Sequence, residues 1–198
     1  MFKSKGFRLK YLLLYMLLSA CASVPADKND ICSVLIQKNG LLVNWEKASK
    51  SAAMTHKIDL ELILATIFIE SSFNSYAKPQ RTKVLGFIPW KRLSSAYGYA
   101  QALDSSWKDY IKDTGRIYAD RHNFYDATDF IAWYYRKSID RHNIKPKDYK
   151  SLYITYHLGN NSPTHLRKNI PEHIMKTAQR LDNLTKNYSS QLYKCGIL

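Results

Sequence analysis

Residues 63–74 read ILATIFIESSFN, an apolar, helix-compatible run that ends abruptly in Glu70-Ser71-Ser72. A run of this kind has to be covered, so it marks the core of whatever the chain folds into. Asp59 can cap it and Glu61 suits the dipole of a first turn, which predicts a helix from Leu60 to about Ser72. Glu70 then has Ile63, Thr66, Ile67 and Phe73 as near neighbours, an apolar to neutral surround. It also lies in the last turn, where the dipole disfavours negative charge. Desolvation and dipole both raise a carboxyl pKa, and an acid that stays protonated near neutral pH suits general-acid chemistry. On this stretch alone, a surface glutamate where a helix emerges is the plainer reading.

The rest of the chain reads as helical. Asn44 can cap a helix to about His56, with Trp45, Ala48 and Ala52 on one face. Asp104 can cap a helix over residues 105–114 that Gly115 stops. Asp126 opens another to about Asn143, its core side formed by Phe130, Ile131, Trp133, Tyr134 and Ile139. A helix over residues 149–157 follows Pro146, and Pro171 suits the first turn of a final helix to about Leu192. Residues 74–97 carry two prolines, a glycine and no sustained period, which predicts a long loop or small hairpin. Asp-Arg-His-Asn occurs twice, at 120–123 and 140–143, near helix ends, and reads as chance. The expectation is a mainly α single domain over residues 41–198.

Residues 1–20 read as a leader outside that domain. Lys3, Lys5, Arg8 and Lys10 form a basic region, and the apolar stretch after them is too short to span a bilayer. Leu18-Ser19-Ala20-Cys21 resembles the lipobox of bacterial lipoproteins, which would leave Cys21 as a lipidated first residue; an ordinary secretory signal is the alternative. Residues 21–40 read as a lead-in from that anchor, with a short helix around residues 33–38. Removing the leader takes away four of the 30 Lys and Arg and none of the 16 Asp and Glu, so the formal charge falls from +14 to +10. That charge suits an anionic membrane surface or an acidic wall polymer, and nucleic acid only weakly, because no nucleic-acid motif is present. Cys32 and Cys195 form an even pair that an oxidising compartment would join as a disulfide, two free thiols being the alternative. The scattered histidines lack ligand spacing, so no metal is expected.

Two further segments bear on Glu70. Tyr97-Gly98-Tyr99-Ala100-Gln101 sits just ahead of a predicted helix, and Tyr156-His157-Leu158-Gly159 at the end of another. With them the sequence resembles the lytic transglycosylases, SLT-type enzymes sharing a lysozyme-like helical fold with goose-type lysozymes. Glu70-Ser71 matches their Glu-Ser pair at a helix end. Gly98 and Gln101 match a Gly-Leu-Met-Gln-type motif, with Tyr-Ala in the middle. Tyr156 and Gly159 keep the Tyr and Gly of an Ala-Tyr-Asn-x-Gly-type motif, with His157 near the usual Asn. The resemblance is closest to a proteobacterial lipoprotein subgroup with Glu-Ser-Ser-Phe, Leu-Gly-Phe-Ile-Pro-Trp and Ser-Ser-Ala-Tyr-Gly-Tyr-Ala-Gln blocks, matched at Glu70–Phe73, Leu85–Trp90 and Ser94–Gln101. It runs from about Asp59 to Gly159, and in that subgroup a polar or acidic residue is expected where Leu158 stands.

The resemblance implies cleavage of the N-acetylmuramic acid–N-acetylglucosamine bond of peptidoglycan, without cofactor, by Glu70 acting as acid and then base. It leaves open a lysozyme-like hydrolase using water, and a binding lipoprotein without turnover. Ser71 would hydrogen-bond near the carboxyl or cap the helix end. Gly98 would let backbone approach sugar, and Gln101 would offer a donor and an acceptor. Tyr99 and Tyr156 would pack on sugar faces or in the core, and His157 would touch substrate or end its helix. The apolar loop Leu85–Trp90, with Arg81, Lys83, Lys91 and Arg92 around it, would wall the cleft, plug inward or lean on the membrane. The implied partners are glycan strands and, through Cys21, a membrane. Ala22 after Cys21 is not the Asp of inner-membrane retention, which favours a periplasmic protein anchored to the outer membrane.

Overall fold

The computed structural model describes residues 27–38, 44–162 and 169–198. The expected leader, residues 1–20, and the expected lipidation site Cys21 lie outside the described residues. Seven helices and one hairpin are formed among them: α1 (Ile31–Gln37), α2 (Trp45–His56), α3 (Leu60–Ser71), β1 (Arg81–Val84), β2 (Ile88–Arg92), α4 (Asp104–Thr114), α5 (Phe124–His142), α6 (Tyr149–Leu158) and α7 (Glu172–Lys194). The protein is mainly α, and the segment after α3 is a small antiparallel hairpin.

The apolar run becomes the central helix. Every residue of α3 from Leu60 to Ile67 is buried, and a helix apolar all round is stable only when covered on every side. Helices α2, α5 and α7 supply that cover, with α2 lying along α5 and α6 along α7. Between α2 and α5 the Trp45 and Phe124 rings stack with centroids 3.9 Å apart. Burial of side chains this size stabilises a fold by about 1.5–3 kcal/mol each.

Helix starts follow capping chemistry where the cap is free to act. The Asn44 and Asp148 side chains accept from the N–H of Lys47 and Ser151. Asp59 and Asp104 stand at the right helix ends, yet neither carboxylate caps. Asp59 accepts from the Tyr149 hydroxyl at 2.7 Å and meets Lys147, while Asp104 pairs with Arg121 at 2.8 Å. Helix α5 begins earlier than expected, capped by Asn123, because the Asp126 carboxylate is held by Arg116 at 2.6 Å.

The packed body also begins before residue 41. Asp30 caps α1, whose Ile31, Val34 and Leu35 are buried on one face. That face meets α7, where the Ile31 N–H donates to Gln191 Oε1 at 2.8 Å. Cys32 is joined to Cys195 by a disulfide with Cα atoms 6.5 Å apart, so both ends of the described chain are fastened together.

Candidate active site

Helix α3 ends in a sharp turn that leaves Glu70 in its last turn. Ser72 and Phe73 are both left-handed, with φ of 51° and 61°. Each such conformation costs a non-glycine residue about 1–2 kcal/mol. Burial of Phe73 offsets that cost: its ring packs 5.7 Å from Trp45 and 6.2 Å from Phe68. The Ser71 hydroxyl donates to the Ile67 carbonyl at 3.0 Å, closing the helix end rather than reaching the carboxyl.

Glu70 lines a cleft of about 390 Å³ between the 94–106 segment and the Tyr134, Tyr156–Gly159 side. Its Oε1 is buried and accepts no hydrogen bond from a described residue. Desolvation pushes the Glu70 pKa up from 4.5 to about 7, and the Tyr153 hydroxyl opposes this in part. Three phenols surround the carboxyl: Tyr135, Tyr153 and Tyr156 are each held above the ordinary phenol value, by burial first and then by the Glu70 charge. The Thr66 hydroxyl gives its proton to the Leu62 carbonyl, so Tyr135 is the donor in its 2.8 Å bond to Thr66. Tyr156 donates to the Ala100 carbonyl at 2.6 Å. The Tyr153 hydroxyl is left to serve Glu70.

A raised carboxyl pKa helps folding only while the group is protonated. Its contribution is complete below pH 4.5 and is lost as pH rises to about 7. Above that the fold carries a cost of about 3 kcal/mol for the buried charge. The thermal stability of the wild-type chain is therefore expected to fall from pH 5 to pH 8 relative to Glu70→Gln, which has nothing to ionise there. Parallel pH profiles for the two chains would contradict this.

The opposite wall is a knot of backbone. Tyr97 bridges to Ala102, and Gln101 is left-handed with φ of 47°. The Gln101 amide donates both protons, to the Ala77 and Gly98 carbonyls at 2.9 Å each, which leaves its Oε1 as the group it offers the cleft. Gly98, with φ of 76°, lies against the backbone of Arg121, where a Cβ would overlap the Arg121 carbonyl. The close approach that this glycine permits is to Arg121. Gly98→Ala is expected to destabilise the protein by about 2–4 kcal/mol, from overlap and strained φ together, as read by denaturant unfolding. An unchanged midpoint would count against it.

Tyr99 is a core residue. It is buried edge-on against Trp45 and Phe124, and burial pushes its pKa up to about 12. Tyr156, half-buried, and His157, exposed, both line the Glu70 cleft. Partial desolvation and nearby His173 lower the His157 pKa. The structure thus brings Glu70, Gln101, Tyr156 and His157 to one cleft, and keeps Ser71, Gly98 and Tyr99 as its frame.

A family model described as the transglycosylase SLT domain matches residues 9–195. The chain belongs to that family. Its helical architecture is the family's lysozyme-like fold, and the family's activity is of the lytic transglycosylase type, on peptidoglycan. No curated protein matches the chain.

Within this transglycosylase-family cleft, the described lining holds no carboxylate besides Glu70. A further cleft of about 510 Å³ shares Leu103, Ser106, Tyr134, Leu158 and Gly159 with it and continues the groove between α4 and α5, where Asp109 and Asp113 line it. Leu158 thus stands at the join of the two. Among the described residues no three His, Cys, Asp or Glu come together in a way that could hold a metal ion. Tyr135 and Tyr153 escaped the sequence reading. The available signal was the Tyr153/Tyr156 pair, three residues apart and so on one face of α6 beside the third motif.

Proposed function

We propose that the protein cleaves the β-1,4 bond between N-acetylmuramic acid and N-acetylglucosamine and closes the muramic acid as its 1,6-anhydro form. Glu70, protonated, donates to the leaving glycosidic oxygen as the bond to the muramic C1 breaks. The muramic N-acetyl oxygen bonds to C1 and holds the positive charge, as in substrate-assisted glycosidases. Glu70, now a carboxylate, takes the proton of the C6 hydroxyl, whose oxygen attacks C1 and displaces the acetamido oxygen. The carboxyl ends protonated, and no water is consumed.

The observation that carries this reading is a lone cleft carboxyl held protonated to about pH 7. A two-carboxylate hydrolase needs a second acid near the scissile bond. The described lining around Glu70 offers none, and the acids of the adjoining groove, Asp109 and Asp113, do not line the Glu70 cleft itself. Digestion of purified sacculi tests the reading. Release of soluble muropeptides ending in anhydro sugars supports it, and tight binding without release marks a binding protein instead.

A further inference from the structure

No Asp or Glu occurs between Glu70 and Asp104, and the middle of that stretch is the β1–β2 hairpin. Its strands pair Arg81 with Arg92, Lys83 with Pro89 and Val84 with Ile88. Every described side chain from Arg81 to Ser95 is exposed. These include Leu85 at 78%, Phe87 at 72%, Leu93 at 75% and Trp90 at 55%. A two-stranded hairpin is marginal in water by itself, and clustered exposed apolar side chains mark a contact surface.

The residues are sorted along the hairpin axis. Val84, Leu85 and Phe87 form the tip; Lys83, paired with Pro89, stands one rung behind it and Trp90 next, while Arg81, Lys91 and Arg92 lie toward the base, with Lys78 below. Among the described residues, none of these five cations pairs with a carboxylate. Arg81 and Arg92 donate instead to the Trp90 and Pro79 carbonyls. At the strand rise, the Arg81–Arg92 rung is roughly 13 Å from the tip. A tip sunk about 5–10 Å into the boundary between headgroups and acyl chains would set Arg81, Lys91 and Arg92 level with the headgroups, and the long stem of Lys83 lets its ammonium reach back to the same level. A glycan would need hydrogen-bonding side chains, and from Val84 to Trp90 the Trp90 indole N–H is the sole such group.

We propose that this hairpin is a membrane-contact element whose apolar tip enters a bilayer surface carrying anionic headgroups. The inference stands apart from the reaction proposed above. Ser94 and Ala96, at the hairpin's exit, line the Glu70 cleft, so insertion would hold the cleft mouth beside the bilayer.

The test uses the full chain and vesicles of mixed phosphatidylglycerol and phosphatidylcholine with brominated acyl chains, which quench tryptophan by contact. Trp90 is read as the difference between wild type and Trp90→Phe. Strong Trp90 quenching in anionic vesicles is expected. The lipid concentration for half-maximal quenching should rise on the order of tenfold in Arg81→Ser/Arg92→Ser. A similar rise is expected in Leu85→Ser/Phe87→Ser. Residues 1–26 are the same in every variant, so the differences report the hairpin, and all substituted positions are exposed. The proposal is overturned if Trp90 is not quenched, or if pure phosphatidylcholine quenches it equally at physiological salt. It is overturned equally if soluble glycan fragments shift Trp90 emission and vesicles do not.

Discussion

Glu70→Gln is expected to slow muropeptide release from sacculi on the order of a thousandfold or more while leaving the fold intact. A positioned acid or base contributes roughly 10²–10⁴-fold, and in the proposed reaction this one carboxyl serves in both roles, with no second carboxylate in the described lining of its cleft. Gln keeps the shape of Glu and removes the transferable proton, so the loss reads chemistry rather than packing. The same substitution is expected to stabilise the chain above pH 7, because it removes the cost of a buried charge. Loss of rate with gain of stability marks a group held for function. A Glu70→Gln chain within about tenfold of the wild-type rate would remove Glu70 from the mechanism.

Replacing Cys32 and Cys195 together by Ser is expected to cost about 5 kcal/mol, from the entropy of a loop closed across 163 residues. For a chain this long, that corresponds to a fall of roughly 10–20 °C in Tm. The bond fastens α1 to the end of α7, where the α1 face otherwise rests on Ile31, Val34, Leu35 and the bond to Gln191. The Glu70 cleft takes no residue from α1. The double variant should therefore keep its kcat at 25 °C and lose only thermal resistance. An unchanged Tm on reduction would show that α1 packing alone holds the termini.

Features set by neighbours in sequence were legible before the structure was known. Asn44 caps α2 and Gly115 ends α4 because their partners lie within four residues. The misread positions have partners far along the chain. Asp59 and Asp104 look like caps, but their carboxylates go to Tyr149 and Arg121. Helix α1 reads as a lead-in because its cover, α7, lies about 160 residues away. The cleft was legible through its motifs, since Glu70, Gln101, Tyr156 and His157 meet there. What motif position could not convey is which members line the cleft. Gly98 faces Arg121, and Tyr99 faces Trp45 and Phe124. The Tyr153 hydroxyl serves Glu70 from α6, and Tyr135 on α5 feels the Glu70 charge, relations between separate helices that no local pattern states.

The most direct test of a lone Glu70 acting as acid and then base is the chemistry of the new sugar ends. Purified sacculi are digested with the chain near pH 6, where Glu70 is protonated, and the fragments are weighed by mass spectrometry without prior reduction. Muropeptides lighter by one water than their hydrolysed counterparts, and resistant to borohydride, are the expected products. Reducing muramic acid ends in their place would show that water, and not the C6 hydroxyl, attacks C1.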